Sequence, residues 1–472
     1  MKKFFEKHDL VKLSGIFLLV SVLLTWAISQ GMFQYGEMTQ NGISRVGFDL
    51  LVQVSLYAIP FVYVSVTFLL ILGGFYQVLS RCAGYQTLIN SISKKLKGHE
   101  VLVTVIVSLI IALWTSVANE WLPILVIIPF IIAILNKLKV DKIAAFSVTF
   151  GAILVGTLGS TYSSQVAGAL ADVFTASYVV VKYILLLISY VLLILFACLR
   201  MKKKKSKEDY DMFEFESAKS TKNKPTVWSY AVALILLFLT VFLGFLPWST
   251  WGIELFAKIT DWVNNFQVFG IPLYSYLFGQ ASAFGSEEFT VLTLQIILLF
   301  AIVLISLFGR ISLNDTLTSI GEGAKKMLKL ALILLIINAV MLVSLNFPVI
   351  PTIVDWLTNL AGGFETASFF NTIMVTLSAF ISSVFGVEMR YVLTLAGNYL
   401  AQFSANTDIL SIIFQTMYGL AQFFVPTSLA LMLGLSYLDI RYNQWMKYIW
   451  KYLIAILILS VIIIAVMLLF VL

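Results

Sequence analysis

The chain has 472 residues, of which 60% are hydrophobic and only 12% are charged, and its mean hydropathy is +0.97. No soluble domain of this length buries so much apolar surface, so the composition excludes a soluble protein and indicates a polytopic helical membrane protein. The apolar runs do not alternate with polar residues, which excludes an outer-membrane β-barrel.

The formal charge of +7 arises largely from lysines and arginines beside the apolar runs. The run MKKKKSKED at residues 201–209 indicates a cytoplasmic loop rather than a nucleic-acid site. Two cysteines and two histidines are too few for a disulfide framework or a histidine metal site.

The first half of the chain is predicted to cross the membrane four times and to enter it once more without crossing. From a cytoplasmic N-terminus, spans at 13–36 and 48–75 lead out and back. The apolar segment 101–136 has basic residues at both ends and is long for a single span. It is therefore predicted to be a re-entrant hairpin, hairpin one. Spans at 143–164 and 178–199 follow.

The second half repeats this order from the opposite side of the membrane. A span at 227–246 and an interfacial region lead into it. The remaining predicted elements are spans at 289–308, 327–345, 409–438 and 448–472, with hairpin two at about 369–400. The sequence thus predicts an all-α inverted repeat of about nine transmembrane helices plus two re-entrant hairpins. Its predicted parts are repeat one at 1–200, a lysine-rich loop and linker at 201–285, and repeat two at 286–472.

Polar residues concentrate at four places, two in each predicted repeat. These are TSVANE (115–120), GTLGSTYSSQVAG (156–168), SSVFGVEMR (382–390) and QTMYGLAQFFVPTS (415–428). Carboxylates and non-helical backbone are tolerated at membrane depth only inside protein or beside a watery cavity. Each stretch alone also fits helix packing by Ser, Thr and Gly. Their occurrence in both halves predicts an ion-coupled secondary transporter with its substrate between the hairpin tips.

The Gly- and Ser-rich stretch 156–168 is predicted to unwind, and Gly419 and Pro426 can break the span predicted at 409–438. Broken helices offer N–H groups to anions and carbonyl groups to cations. The candidate substrate-binding residues are Thr115, Ser116, Asn119, Glu120, Ser160, Thr161, Ser164, Ser382, Ser383, Glu388, Arg390, Thr427 and Ser428. The candidate cation-binding residues are Gly159, Ser163, Gly386, Gln415 and Gly419. No enzyme motif and no cofactor is predicted, and Na⁺ or H⁺ is the expected coupling ion.

Three stretches resemble the YfcC-like carriers of the ion transporter superfamily, whose relatives include four-carbon dicarboxylate, arginine/ornithine and aminobenzoyl-glutamate transporters. They are GGFYQVLSRCAGYQTLINSISKKLKGHE (73–100), IGEGAKKMLKLALILLIINAVM (320–341) and VPTSLALMLGLSYLDIRYNQWMKYIWKYL (425–453). The resemblance covers most of the chain. It implies a homodimer in the cell membrane, in which each protomer has a scaffold domain and an elevator-type transport domain that holds both hairpins.

Carried over by position, Glu120 matches the glutamate at the family's first hairpin tip. Ser382, Ser383 and Gly386 fall on the second hairpin motif, and residues 426–428 on its PTS sequence. The chain departs from the family pattern at residues 384–388, where a polar tip is expected, and at 163–165, where Asn-Pro is expected. These departures bear on the identity of the substrate rather than on the fold.

Acidic residues at both predicted tips favour a cationic or zwitterionic substrate, because a dicarboxylate would face two carboxylates at low dielectric. The sequence therefore predicts basic amino-acid transport of the arginine/ornithine type. A four-carbon dicarboxylate carrier, in which Arg390 binds the anion, is the first alternative. A membrane-embedded enzyme or scaffold with the same topology is the second.

Overall fold

The computed structural model describes residues 9–34, 37–174, 178–206, 208–213, 227–360, 369–403 and 407–471, and most of these residues are helical. The helices are α1 (Asp9–Ala27), α2 (Phe48–Ser80), α3 (Ala83–Leu96), α4 (Glu100–Val117), α5 (Ile128–Lys137), α6 (Lys142–Leu158), α7 (Val179–Lys203), α8 (Val227–Gly244), α9 (Leu255–Asn265), α10 (Leu273–Phe278), α11 (Val291–Gly309), α12 (Leu313–Asn346), α13 (Ile350–Leu360), α14 (Phe369–Phe385), α15 (Met389–Val392), α16 (Asn398–Phe403), α17 (Thr407–Gln422), α18 (Leu429–Tyr437) and α19 (Tyr442–Val471). The all-α fold class is confirmed.

Short elements complete the described part of the chain. Two antiparallel pairs of strands occur, β1 (Gly31–Gln34) with β2 (Glu37–Gln40) and β3 (Gln267–Val268) with β4 (Ile271–Pro272). A 3-10 helix covers Leu122–Val126, and a short helical turn covers Ala169–Ala171. Five-residue π-helical turns cover Ser147–Gly151, Ser164–Gly168 and Leu393–Gly397.

Eight of the described helices are long and apolar enough to span a membrane: α1, α2, α4, α7, α8, α11, α12 and α19. Seven of them match predicted spans one to one, and the eighth, α4, lies within predicted hairpin one. The other two predicted spans are broken helices. The span predicted at 143–164 stops being helical after Leu158, and the span predicted at 409–438 is interrupted between α17 and α18. Such breaks are tolerated at membrane depth only when the surrounding protein satisfies the free backbone groups.

The longest helices, α2 and α12, form the most extensive pairing in the fold, with α1 and α11 packed beside them. They cross where Gly73 meets Gly323, and a Cβ added at Gly323 would lie 2.1 Å from the Gly73 carbonyl oxygen. The absence of side chains at this point lets the two backbones approach closely. A second group of mutual contacts joins α4, α6, α7, α17 and α19, and contains both broken helices.

Both ends of the segment 100–141 contact the end of α7. The Thr104 hydroxyl lies 3.5 Å from the Met201 sulfur at one end. At the other end, Asp141 accepts a hydrogen bond from Arg200, and Val140 forms a β-bridge with Lys205. The two ends of segment 100–141 therefore lie at the same end of α7.

Candidate functional site

The first broken helix is bonded to the end of α4. The Thr161 N–H donates to the Ser116 carbonyl oxygen at 2.8 Å, and the two hydroxyls of these residues lie 2.9 Å apart. Farther along, the Ser164 hydroxyl donates to the Asn119 carbonyl oxygen at 2.9 Å. These contacts satisfy backbone groups that helix bonding leaves free. They bring the first two predicted polar stretches together.

The second broken helix holds the end of α14 in a similar way. The Thr427 hydroxyl donates to the Val384 carbonyl oxygen at 2.7 Å, and the Tyr418 hydroxyl donates to the Val387 carbonyl oxygen at 3.1 Å. Pro426 lies in this break, where a missing N–H costs no helical hydrogen bond. In each half, therefore, a broken helix supports the polar end of a neighbouring helix.

Gln415 connects the two halves directly. From within α17, its side-chain amide donates to the carbonyl oxygens of Leu158 at 3.2 Å and of Ser160 at 2.8 Å. Both acceptors belong to the region where α6 unwinds, and Gln415 is completely buried. One side chain of the second half thus satisfies two backbone acceptors freed by the break in the first.

An enclosed void of about 30 Å³ lies between the two halves. Thr115 and Ser163 line it from the first half, and Glu388 and Gln422 from the second. Among the described residues, the Thr115 hydroxyl and the Gln422 amide nitrogen are buried and have no hydrogen-bond partner. The volume is that of a single water molecule. The void can therefore hold one small polar group that bridges the halves.

A larger open cavity of about 530 Å³ adjoins the void. Its lining includes five predicted site residues, Asn119, Glu120, Ser164, Glu388 and Arg390. Gln165 and Glu388 line both spaces. With Glu287 also present, the lining carries three carboxylates and one guanidinium group.

The Arg390 guanidinium is partly neutralised by a nearby carboxylate. It lies 3.8 Å from the Asp172 carboxylate, and both side chains are largely exposed. Ion pairs of this kind are weak, so Arg390 remains able to exchange this partner for another anion.

Other predicted residues are buried but line neither space. Ser382 and Ser383 donate hydrogen bonds to carbonyl groups one turn earlier in α14. Ser428 caps α18 and accepts a hydrogen bond from the Leu431 N–H at 3.4 Å. The Gly386 N–H donates to the Ser382 carbonyl oxygen at 2.9 Å. In this conformation, these side chains stabilise the helix ends around the site.

Gly159 and Gly419 lie at close helix contacts. A Cβ at Gly159 would lie 2.5 Å from the Leu186 Cα, and one at Gly419 would lie 2.4 Å from the Leu158 Cα. The sequence suggested that Gly419 would help to break its span, but α17 continues through it and ends at Gln422. A buried helix can accommodate one glycine when close packing offsets its low helix propensity.

A family model for the C4-dicarboxylate anaerobic carrier, DcuC, matches residues 62–469. The chain belongs to the DcuC family. The match confirms the resemblance to this group of carriers and establishes a multi-pass membrane protein of a secondary transporter family. None of the curated proteins matches the chain.

Two solved transporter structures are similar to this DcuC-family chain over nearly its whole length. The YdaH transporter of Alcanivorax borkumensis is 13% identical, with a TM-score of 0.42 over 97% of each chain. MtrF of Neisseria gonorrhoeae, described as an antimetabolite efflux pump, is 14% identical, with a TM-score of 0.38 over 97% of this chain and 94% of its own.

The structure adds site residues of the DcuC-family chain that the sequence analysis missed. Gln165, Tyr418 and Gln422 line the void. Gln422 follows Gln415 by seven residues, a spacing that places both on one helix face and could have revealed it. Lys182 of α7 is 2% exposed, but it lines neither the void nor the open cavity.

Proposed function

We propose that this DcuC-family chain is a secondary transporter that moves a small charged metabolite through the space between its two broken helices. The observation that carries the proposal is the pair of adjoining spaces, which contain polar groups from both halves and share Gln165 and Glu388. The open cavity of about 530 Å³ has room for a small metabolite, and the adjoining void of about 30 Å³ has room for one polar group of it or for a small ion.

The proposed mechanism is elevator-like alternating access within an inverted repeat of residues 1–200 and 286–472, joined by 201–285. Hairpins at about 101–136 and 369–400 would be re-entrant. The return of segment 100–141 to the end of α7 supports the first of them. The lysine-rich loop supports a cytoplasmic N-terminus in the plasma membrane, and we further propose a homodimer.

The charge of the open cavity favours a substrate that carries a cationic group. Glu120, Glu287 and Glu388 outnumber Arg390, which already lies near Asp172. At an effective dielectric constant of 20, two unit charges 4 Å apart interact by about 4 kcal/mol. The three carboxylates favour binding of the cationic group of a basic amino acid, and the carboxylate of that amino acid can still reach Arg390.

A four-carbon dicarboxylate is the second candidate, favoured by the description of the matched family and by Arg390 in the cavity lining. Such a substrate would meet the carboxylates unfavourably unless protons or cations neutralised them. H⁺ carried by Glu120 or Glu388, or Na⁺ held by backbone carbonyls, would provide this neutralisation. Of the five predicted cation-site residues, Ser163 lines the void in this conformation.

Counterflow in proteoliposomes tests the two candidates. Vesicles loaded with ornithine or with succinate are offered labelled arginine or labelled succinate. Arginine accumulation only against internal ornithine supports basic amino-acid exchange. Succinate accumulation without an arginine signal supports the dicarboxylate carrier, and accumulation of neither refutes both substrate assignments.

The cavity carboxylates are tested by Glu120→Gln and Glu388→Gln, which we expect to lower counterflow at least tenfold or remove its pH dependence. Glu254→Gln is the matched control, because Glu254 is exposed and pairs with Lys258 outside the cavity. Unchanged transport in both cavity variants would contradict the site assignment.

A further inference from the structure

Residues 208–213, which follow the lysine run, pack into the core and are here named the strap. Tyr210 and Phe213 are 9% and 3% exposed and belong to the main apolar cluster. Burial of two aromatic side chains is unusual for a polar connecting segment and fixes the strap against its neighbours. The strap lies on the side of the protein that the lysine run assigns to the cytoplasm.

One set of contacts attaches the strap to the α2–α12 pair. The Phe213 ring stacks on Tyr76 of α2, with ring centroids 5.7 Å apart. Lys326 of α12 donates from Nζ to the Met212 carbonyl oxygen at 2.9 Å, and the same Nζ lies 5.4 Å from the Phe213 ring centroid. These residues are close in sequence to the Gly73–Gly323 crossing.

A second set attaches the strap to α5 and α18. Asn136 of α5 donates to the Asp209 carboxylate, and the Tyr210 N–H donates back to Asn136 Oδ1 at 3.4 Å. Tyr437 of α18 lies against Phe213, with ring centroids 6.4 Å apart. The strap thus contacts four helices at once, α2 and α12 on one side and α5 and α18 on the other, and α18 also packs directly against α12.

We propose that the strap is a cytoplasmic latch that joins α2 and α12 to α5 and α18, and that it must be released for alternating access. The role in transport rests on the function proposed above, whereas docking of the strap does not. If α5 moves relative to α2 and α12, the contacts of Phe213 and Lys326 on one side and of Asn136 on the other cannot all persist.

Asp211 makes the latch sensitive to pH. Its Oδ1 accepts from the Phe213 N–H at 3.1 Å, and burial raises the pKa of Asp211 to about 7. The titratable groups that face it are Asp209 and Tyr210 of the strap, Lys137 of α5, Lys326 of α12, Tyr76 of α2, Tyr85 of α3 and Tyr437 of α18. The positive charges of Lys137 and Lys326 offset only part of the desolvation cost of ionising Asp211 among these aromatic rings.

The sign of the effect follows from proton linkage. An aspartate in the undocked strap has a pKa of about 3.9, so the docked state binds more protons. Docking is strongest below about pH 4 and weakens up to tenfold per pH unit until about pH 7, above which it no longer changes. Between pH 5.5 and 7 the ratio of docked to undocked strap falls about sixteenfold.

Hydrogen exchange of the full-length protein in lipid nanodiscs measures docking directly. After correction for the intrinsic effect of pH, the strap amides should be protected at pH 5.5 and exchange up to about thirtyfold faster at pH 7.5. Asp211→Asn keeps the acceptor oxygen and should abolish this dependence. Glu208→Gln removes an exposed charge nearby and should leave it unchanged. An unprotected strap at pH 5.5 overturns the proposal.

A reversible cross-link tests the need for release. Cysteines replace Met212 and Lys326, whose contact joins the strap to α12, in a chain lacking Cys82 and Cys198. A bifunctional thiol reagent with an internal disulfide, whose spacer replaces the length of the lysine side chain, should stop counterflow when it joins the two cysteines, and a reductant should restore it. Full transport by the cross-linked protein overturns the latch. If no substrate is transported by the unmodified protein, the proposed function fails, while the exchange result still decides whether the strap is docked.

Discussion

Gln415→Leu is the substitution that most directly tests the connection between the two halves. The change keeps the size of the side chain and removes its amide, which donates to the Leu158 and Ser160 carbonyl oxygens. Because Gln415 is completely buried, no bulk water replaces the lost donor. Two acceptors of the broken helix then lose their partner.

The expected loss of unfolding free energy follows from the number of hydrogen bonds that the substitution removes. Hydrogen bonds inside membrane proteins contribute about 0.6–2 kcal/mol each, so two of them contribute about 1–4 kcal/mol. Gln415 Oε1 is buried without a hydrogen-bond partner among the described residues, and its removal offsets part of this loss. Thermal unfolding of the purified protein, followed by tryptophan fluorescence, should show a clearly lower midpoint. Counterflow should also fall, because the unwound segment next to the void loses its support.

Gln422→Leu is the matched control in the same helix. The Gln422 amide nitrogen is buried and has no hydrogen-bond partner among the described residues, so an apolar replacement removes a desolvation cost rather than a bond. Its unfolding midpoint should stay the same or rise. Equal losses of stability in the two variants would refute the role assigned to the Gln415 bonds.

Two further substitutions test the helix contacts. Gly323→Ala places a methyl group against the Gly73 carbonyl oxygen and should lower the free energy of unfolding by about 1–3 kcal/mol. In the control Gly321→Ala the methyl group meets open space and should not destabilise the protein. The midpoints of thermal unfolding of the two variants are compared. Thr427→Val removes the hydrogen bond to the Val384 carbonyl oxygen and should cost about 1 kcal/mol, and Thr427→Ser should retain most of it. Indistinguishable midpoints within either pair would count against the corresponding contact.

The sequence predicted the elements of this fold well, because membrane spans are signalled by length and hydropathy alone. Seven predicted spans correspond to single helices, and both polar stretches expected to unwind contain breaks. Pro426 located the second break, since proline lacks an N–H group. Gly419 did not contribute to it, because this glycine lies where α17 packs against Leu158. A glycine signals either a break or a close contact, and only the three-dimensional neighbours distinguish them.

The site was predictable in its location but not in the orientation of each side chain. Glu120 and Glu388 line one cavity, so the structure brings together these two residues from separate polar stretches. Ser382 and Ser383 instead bond to their own helix, a local alternative that competes with ligand binding for any serine. The spacing from Gln415 could have indicated the helix face on which Gln422 lies, but its position beside the void depends on the packing of α17 against the other half.

The return of segment 100–141 to the end of α7 has a consequence for biosynthesis. The ion pair of Asp141 with Arg200 and the β-bridge of Val140 with Lys205 can form only after the chain has been synthesised beyond residue 205. Until then Asp141 lacks Arg200 and can accept only a local hydrogen bond, such as the one from the Ile143 N–H at 3.1 Å. Because chains emerge from the N-terminus, this part of the protein is completed by residues made later. Final docking of the segment must therefore follow membrane insertion of α7, whatever path the segment takes before it.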